Sequence, residues 1–244
     1  MDIKYLTQGL KYGSTEEKLL VITKIRRRVN EDFLMWLLPK YNLNGLKNEI
    51  AKMDSFSPND INELQKGLKE LLEAGKDILH CWYATIALID IDDLSHENLE
   101  ILLDSSDQVM KWLIQVGEEG GAVSAAALEF QVQKETVRGI SKFKKYSETG
   151  EILMKCFNGE ILLGRQITGG QKVLCDSSLI AFGALGDPNY REFVEYKARQ
   201  EKDIKTKKVA EIALSMWGTD FDSIKNKIEK EPPGSGGFLK KLFG

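Results

Sequence analysis

At 244 residues, 42% hydrophobic and 29% charged, the chain is long enough to bury a sizeable core and has the make-up of an ordinary globular protein. A formal net charge of −3 argues against bulk nucleic-acid binding, which draws its affinity from many phosphate-neutralising Lys and Arg side chains. Cys81, Cys156 and Cys175 are far apart and form no CxxC pair, which argues against a disulfide framework, and no apolar run reaches the roughly 20 residues that span a bilayer.

Residues 1–13 lack the apolar core and cleavage site of a signal peptide, so the expected setting is cytoplasmic. Residues 3–10 read as a short amphipathic helix ended by Gly13. Ser14 followed by Glu17 forms a capping-box signature for the next helix, with an apolar stripe of Leu19, Leu20, Ile22, Ile25 and Val29. Lys24, Arg26, Arg27 and Arg28 close it. Cations in a last turn complement the helix dipole, and the sharper reading of this cluster is a docking site for an acidic partner. Asn30 caps residues 31–41, where Phe33, Leu34, Trp36, Leu37 and Leu38 are dense enough to be buried, and Pro39 ends or kinks the helix. A short helix over 42–53 precedes Ser57-Pro58, a strong start for a helix that runs to Ala74 and is closed by Gly75.

Asp77 opens an apolar helix over residues 77–90. His80, Cys81, Trp82 and Tyr83 in succession suit core packing, because consecutive helical side chains point about 100° apart and cannot converge on one ligand. The only other histidine is His96, so neither a metal site nor a cofactor is expected. Ser95 caps the next helix, and residues 104–107, DSSD, read as a turn and a fresh cap. Gly120 and Gly121 then separate that helix from an alanine-rich one over 122–132. A further helix follows over 134–144, its Lys142, Lys144 and Lys145 forming a solvated face.

Residues 146–171 are the least helix-like stretch, with five glycines and the hairpin dipeptide Asn158-Gly159. Two readings compete, a small β-hairpin or irregular insertion and a helix turn with a loop; the first is favoured, and the insertion is a candidate site by position. Residues 173–186 make another inner helix, with Asp176 near its start. A two-helix unit over 182–218 comes next. Asp187-Pro188 starts its first helix, Asp203 caps the second, and Gly218 sits at the C-cap position. Ile204, Val209, Ala210, Ala213, Leu214 and Trp217 form the apolar face of the second helix.

After a last helix over 221–230 the composition changes to a Pro/Gly/Ser linker at 232–237. Phe238, Leu239, Lys240, Lys241, Leu242 and Phe243 follow. As a helix they place four apolar groups on one face and two lysines opposite, an amphipathic peptide that needs a surface to dock on. These six residues are the candidate partner-binding site. Folding back onto the chain's own helices and weak peripheral membrane contact are the other readings.

The unit over 182–218 resembles a HEAT-like or armadillo-like repeat: Asp203 in the turn, Lys207 four positions on, then Ala210 and Ala213-Leu214, with residues 184–188 similar to a junction between repeats. Asp77, Ala84 and Ala87 resemble the same pattern, with Cys81 where the basic residue would stand. Ala84, Ala126, Ala181 and Ala210 are spaced by 42, 55 and 29 residues, an irregular series around the ~40–47 of such units. The resemblance implies an all-α fold, a HEAT-like α-α superhelix over residues 1–231, bearing the linker and the docking peptide at 238–244. It implies shape more than activity, since such folds host scaffolds, carriers, lyases and DNA repair enzymes. The expected function is a non-enzymatic scaffold or adaptor that binds one or more proteins through its helical surface and its tail. The alternative is a HEAT-like enzyme, such as a DNA alkylation-repair glycosylase or a bilin lyase, which would draw on Trp36, Trp82, Trp112 and Trp217 and scattered acids.

Overall fold

The computed structural model describes residues 3–75, 77–164 and 170–231, and for residues 120–124 the backbone alone. Its regular structure is all-helical: among the described residues there are thirteen α-helices, one π-turn and one 3-10 turn, and no strand. No described helix is long and apolar enough to cross a membrane. The described residues divide into two compact units between Val132 and Gln133.

In the first unit α1 (Ile3–Tyr12), α2 (Thr15–Arg26), α3 (Glu31–Leu37), α4 (Leu43–Ala51) and α5 (Pro58–Ala74) lead to α6 (Ile78–Asp90) and α7 (His96–Val116). The caps stand where the sequence places them. Ser14 and Glu17 exchange hydrogen bonds, Ser57 and Asp60 do the same, and Asn30, Asp77 and Ser95 each accept a backbone N–H of the helix they open.

The core of this unit is built on α6, which packs against α2, α5 and α7. Trp82 and Tyr83 are fully buried, with Phe33 against both at ring distances of 5.3 and 4.9 Å. Two cations of the basic run closing α2, Lys24 and Arg26, are buried at the edge of this core. Arg26 lies over the Tyr83 ring and pairs with Asp90 at 2.9 Å, Lys24 pairs with Glu49 at 2.8 Å, and the Arg27 guanidinium donates to the Met53 carbonyl. The apolar stems of Lys24 and Arg26 pack inward while their charges find partners, so these two do not stand ready for an acidic partner; Arg27 is exposed.

Two expected breaks are absent. Residues 104–107 lie inside α7, where Ser105 and Ser106 donate to the carbonyls of Ile101 and Leu102, each at 2.6 Å. Serine hydroxyls that bond back within the helix lose their turn-forming preference. Nor do Gly120 and Gly121 form a loop: a π-turn, Gly117–Gly121, leads directly into α8 (Ala122–Ile140). Its wider hydrogen-bonded ring keeps the backbone paired through the glycines. The expected boundary near residue 133 is absent too, since α8 runs through it.

The second unit contains α9 (Thr149–Asn158), α10 (Gly170–Leu185), α11 (Arg191–Gln200), α12 (Ile204–Ser215) and α13 (Phe221–Lys230). Residues expected to form the first strand of a hairpin are α9 instead. Asn158-Gly159 ends that helix: Gly159 takes a left-handed φ of 71°, its N–H bonds Cys156 O, and Glu160 N–H bonds Lys155 O. The left-handed backbone that a hairpin turn requires is the same one that closes a helix with paired reverse bonds, and Leu153, Cys156 and Phe157 give the segment a buried helical face.

The core here is α10, which packs against α9, α11, α12 and α13. Phe182 stacks on Tyr190 at 5.1 Å and meets Phe193 edge-on at 5.6 Å, and Phe193 in turn meets Phe157 at 5.0 Å. The α10–α12 crossing is close because Gly183 faces Ala213, where a Cβ on Gly183 would lie 2.9 Å from that of Ala213. Ile204 was expected on the apolar face of α12, but it is 81% exposed, at the first helical position directly after the cap.

Candidate functional site

Phe238, Leu239, Lys240, Lys241, Leu242 and Phe243, the partner-binding residues expected from the sequence, lie outside the described residues. Within them, the second unit carries a cavity of ≈480 Å³ where the ends of α9 and α11 meet the starts of α10 and α12. Phe157 and Asn158 come from α9, Lys172 and Cys175 from α10, Lys197 from α11, and Asp203 and Thr206 from the start of α12.

The two acids of the cavity are held by backbone. Asp203 Oδ1 accepts the N–H groups of Lys205 and Thr206 at 3.1 and 2.9 Å, and Glu201 Oε1 accepts those of Lys202 and Asp203 at 2.9 and 3.3 Å. The turn between α11 and α12 is therefore built on these carboxylates. Lys172, together with the Thr206 backbone, holds the Asp203 carboxyl down at about 2, well below the usual range.

The two lysines are held by side chains alone. Lys172 pairs with Asp203 and reaches Thr206 Oγ1 at 3.3 Å; Lys197 lies 3.5 Å from Glu201 and 5.0 Å from the centre of the Phe157 ring. Behind this wall is Asp176, which has no exposed surface. Its Oδ1 accepts the Thr206 hydroxyl at 2.7 Å, while Oδ2 has no hydrogen-bond partner. Burial pushes its carboxyl from the ordinary 3.8 up to about 6, against the pull of Thr206 and Lys172. Burial likewise lifts Cys175, whose thiol donates to the Phe157 carbonyl at 3.4 Å, to about 11.

Other residues singled out in the sequence are tied into the fold. His80 Nε2 lies 3.0 Å from the Thr15 carbonyl and so joins α6 to the start of α2. Among the described residues no group of three His, Cys, Asp or Glu side chains stands close enough to hold a metal ion. Trp82 is in the core of the first unit, Trp36 and Trp112 meet edge-on at 5.9 Å, and Trp217 lies under Arg191 in the second. None of the four lines the cavity.

The sequence marks Asp203 as a cap; it places Asp176 near a helix start, whereas α10 begins six residues earlier, and it misses Lys172 and Lys197. An i, i+4 Lys-Glu spacing marks Lys197 with Glu201, whereas the partner of Lys172 is 31 residues away and leaves no local signal. Comparison of the chain with protein-family models, curated proteins and solved structures finds no match to any.

Proposed function

We propose that this chain is a non-enzymatic interaction protein whose helices pair and stack in a HEAT-like manner, with residues 238–243 as a second, tethered contact for a protein partner. The observation that carries this reading is on the α11–α12 pair: Tyr196 is 60% exposed and Ile204 81% exposed, although each could be polar without loss to the core. Exposed aromatic and large aliphatic side chains on ordered helices are available to a protein partner as anchors. Tyr5 and Tyr12, seven residues apart on α1 and 55% and 77% exposed, repeat the pattern in the first unit. The amphipathic composition of the tail adds a second site whose tethering raises its local concentration at a partner already engaged.

The test is affinity capture from lysate with the full chain and with residues 1–233, the bound proteins identified by mass spectrometry and then remade to measure direct binding. A purified partner that binds the full chain and loses affinity with the tail supports the reading. Equal affinities for the two forms remove the tail from it.

A further inference from the structure

The cavity between α9, α10, α11 and α12 is balanced in charge, with the ammonium groups of Lys172 and Lys197 set against the carboxylates of Glu201 and Asp203. The two sets differ in what else they do. Each acid holds two backbone N–H groups of the α11–α12 turn and cannot move without opening it. Neither lysine has such a duty. Both side chains are about one-quarter exposed, and a pair of that kind contributes little to stability. An ammonium on a four-carbon stem, with three N–H donors, is free to turn to a new acceptor.

A purely anionic ligand would take the lysines and face two fixed carboxylates. A purely cationic one would take the acids and face the displaced ammonium groups. The lining suits a ligand with one charge of each sign, and the Phe157 ring gives it an apolar wall; a volume of ≈480 Å³ falls in the range of small-molecule sites, ~300–1,000 Å³. We propose that this cavity is a binding site for a free α-amino acid, its carboxylate taken by Lys172 and Lys197, its ammonium by Glu201 and Asp203, and its side chain laid against Phe157. Thr206 links occupancy to the core. It accepts from Lys172 and donates to the buried Asp176, so a ligand that draws Lys172 away alters the one described hydrogen bond of that carboxylate.

Titration of the isotope-labelled full chain with each of the twenty amino acids singly, followed in amide correlation spectra, tests this. At least one is expected to give saturating shifts confined to residues of α9 to α12. Its N-acetyl and carboxamide derivatives, which each lack one charge, are expected to give none. Lys197→Gln should weaken the binding roughly tenfold, the loss of one charged contact, with the melting temperature unchanged. Absence of saturable binding by all twenty would overturn the proposal, as would derivatives that bind as well as the parent. A Lys197→Gln chain with unaltered affinity would do the same. The proposal does not depend on the interaction reading above, since these titrations contain no partner.

Discussion

Thr206 donates its hydroxyl to Asp176 Oδ1 across 2.7 Å, joining α12 to α10 through a carboxylate whose Oδ2 is buried without a hydrogen-bond partner. A half-satisfied buried acid is a cost to the fold, and it makes stability depend on pH. With its carboxyl pushed from 3.8 to about 6, the folded chain keeps this proton at pH values where the unfolded chain has released it. The stabilisation is complete below the lower value and lost as pH rises through the upper one. Asp176→Asn removes the titration and keeps the acceptor for Thr206. Unfolding free energies of the two chains from urea titrations, measured from pH 4 to 7, should diverge in favour of the variant, by about 2 kcal/mol over the range. Parallel curves would show that this carboxyl does not titrate there.

In the first unit, Arg26 and Asp90 form an ion pair with side chains 0% and 4% exposed. Removing one partner takes this pairing from a charge that stays in a dry site. Arg26→Met should cost about 3–5 kcal/mol, and adding Asp90→Leu should recover much of that loss, because a matched apolar pair does without the desolvation of both charges. A double-mutant cycle by denaturant unfolding measures the coupling. Additive effects would mean that the two charges act independently.

The contact of Gly183 with α12 sets the spacing of the second unit. A Cβ there would meet the Cβ of Ala213 at 2.9 Å and its carbonyl oxygen at 3.0 Å, so the helices must separate or tilt. Gly183→Ala should cost about 1–3 kcal/mol despite alanine's better helix propensity. Ala213→Gly in the same chain should return part of the loss, the carbonyl contact remaining. Thermal melts of the single and double variants distinguish this packing effect from a backbone one.

The helix starts were legible because they are written locally: a side-chain acceptor and the N–H it takes lie two or three residues apart, as at Ser14, Ser57, Asp77 and Asp203. The stops were less so. Asn158-Gly159 specifies a left-handed residue but not whether a strand or a helix precedes it, and that choice was made by the burial of Leu153, Cys156 and Phe157. Residues 104–107 carry turn-forming side chains, yet Ser106 is fully buried in α7 and its hydroxyl is consumed by its own helix. The cavity was hidden for a different reason. The Lys172 ammonium acquires meaning only when α10 is laid against α12, and no residue near it in the chain announces Asp203.

The thiols give a graded test of burial. Cys156 is buried and lifted to about 12, Cys175 to about 11, and Cys81 is raised by burial and by Asp77. Because the thiolate is the reactive form, all three should be sluggish toward a disulfide reagent at pH 7.5, with Cys156 the slowest. Denaturant should bring them to a common rapid rate. A thiol that reacts at once in the folded chain would contradict the packing described around it.

The exposed residues of the α11–α12 pair separate an interface from a merely tolerated surface. Ile204 opens α12 directly after its Asp203 cap, with 81% of its surface in water, so little packing is lost when it is replaced. Ile204→Glu puts a negative charge in a first helical turn, where the dipole favours it, and the melting temperature should hold or rise slightly. Tyr196→Ala should shift stability by no more than about 0.5 kcal/mol, as exposed substitutions generally do. If the pair is an interface, the double variant should lose a purified partner's binding by tenfold or more, since aromatic and large aliphatic anchors carry most of such affinities. Affinity measured by calorimetry beside the melts decides it. A stable double variant with undiminished binding would move the interface away from α11 and α12, while one that has lost both stability and binding would show that these side chains support the fold.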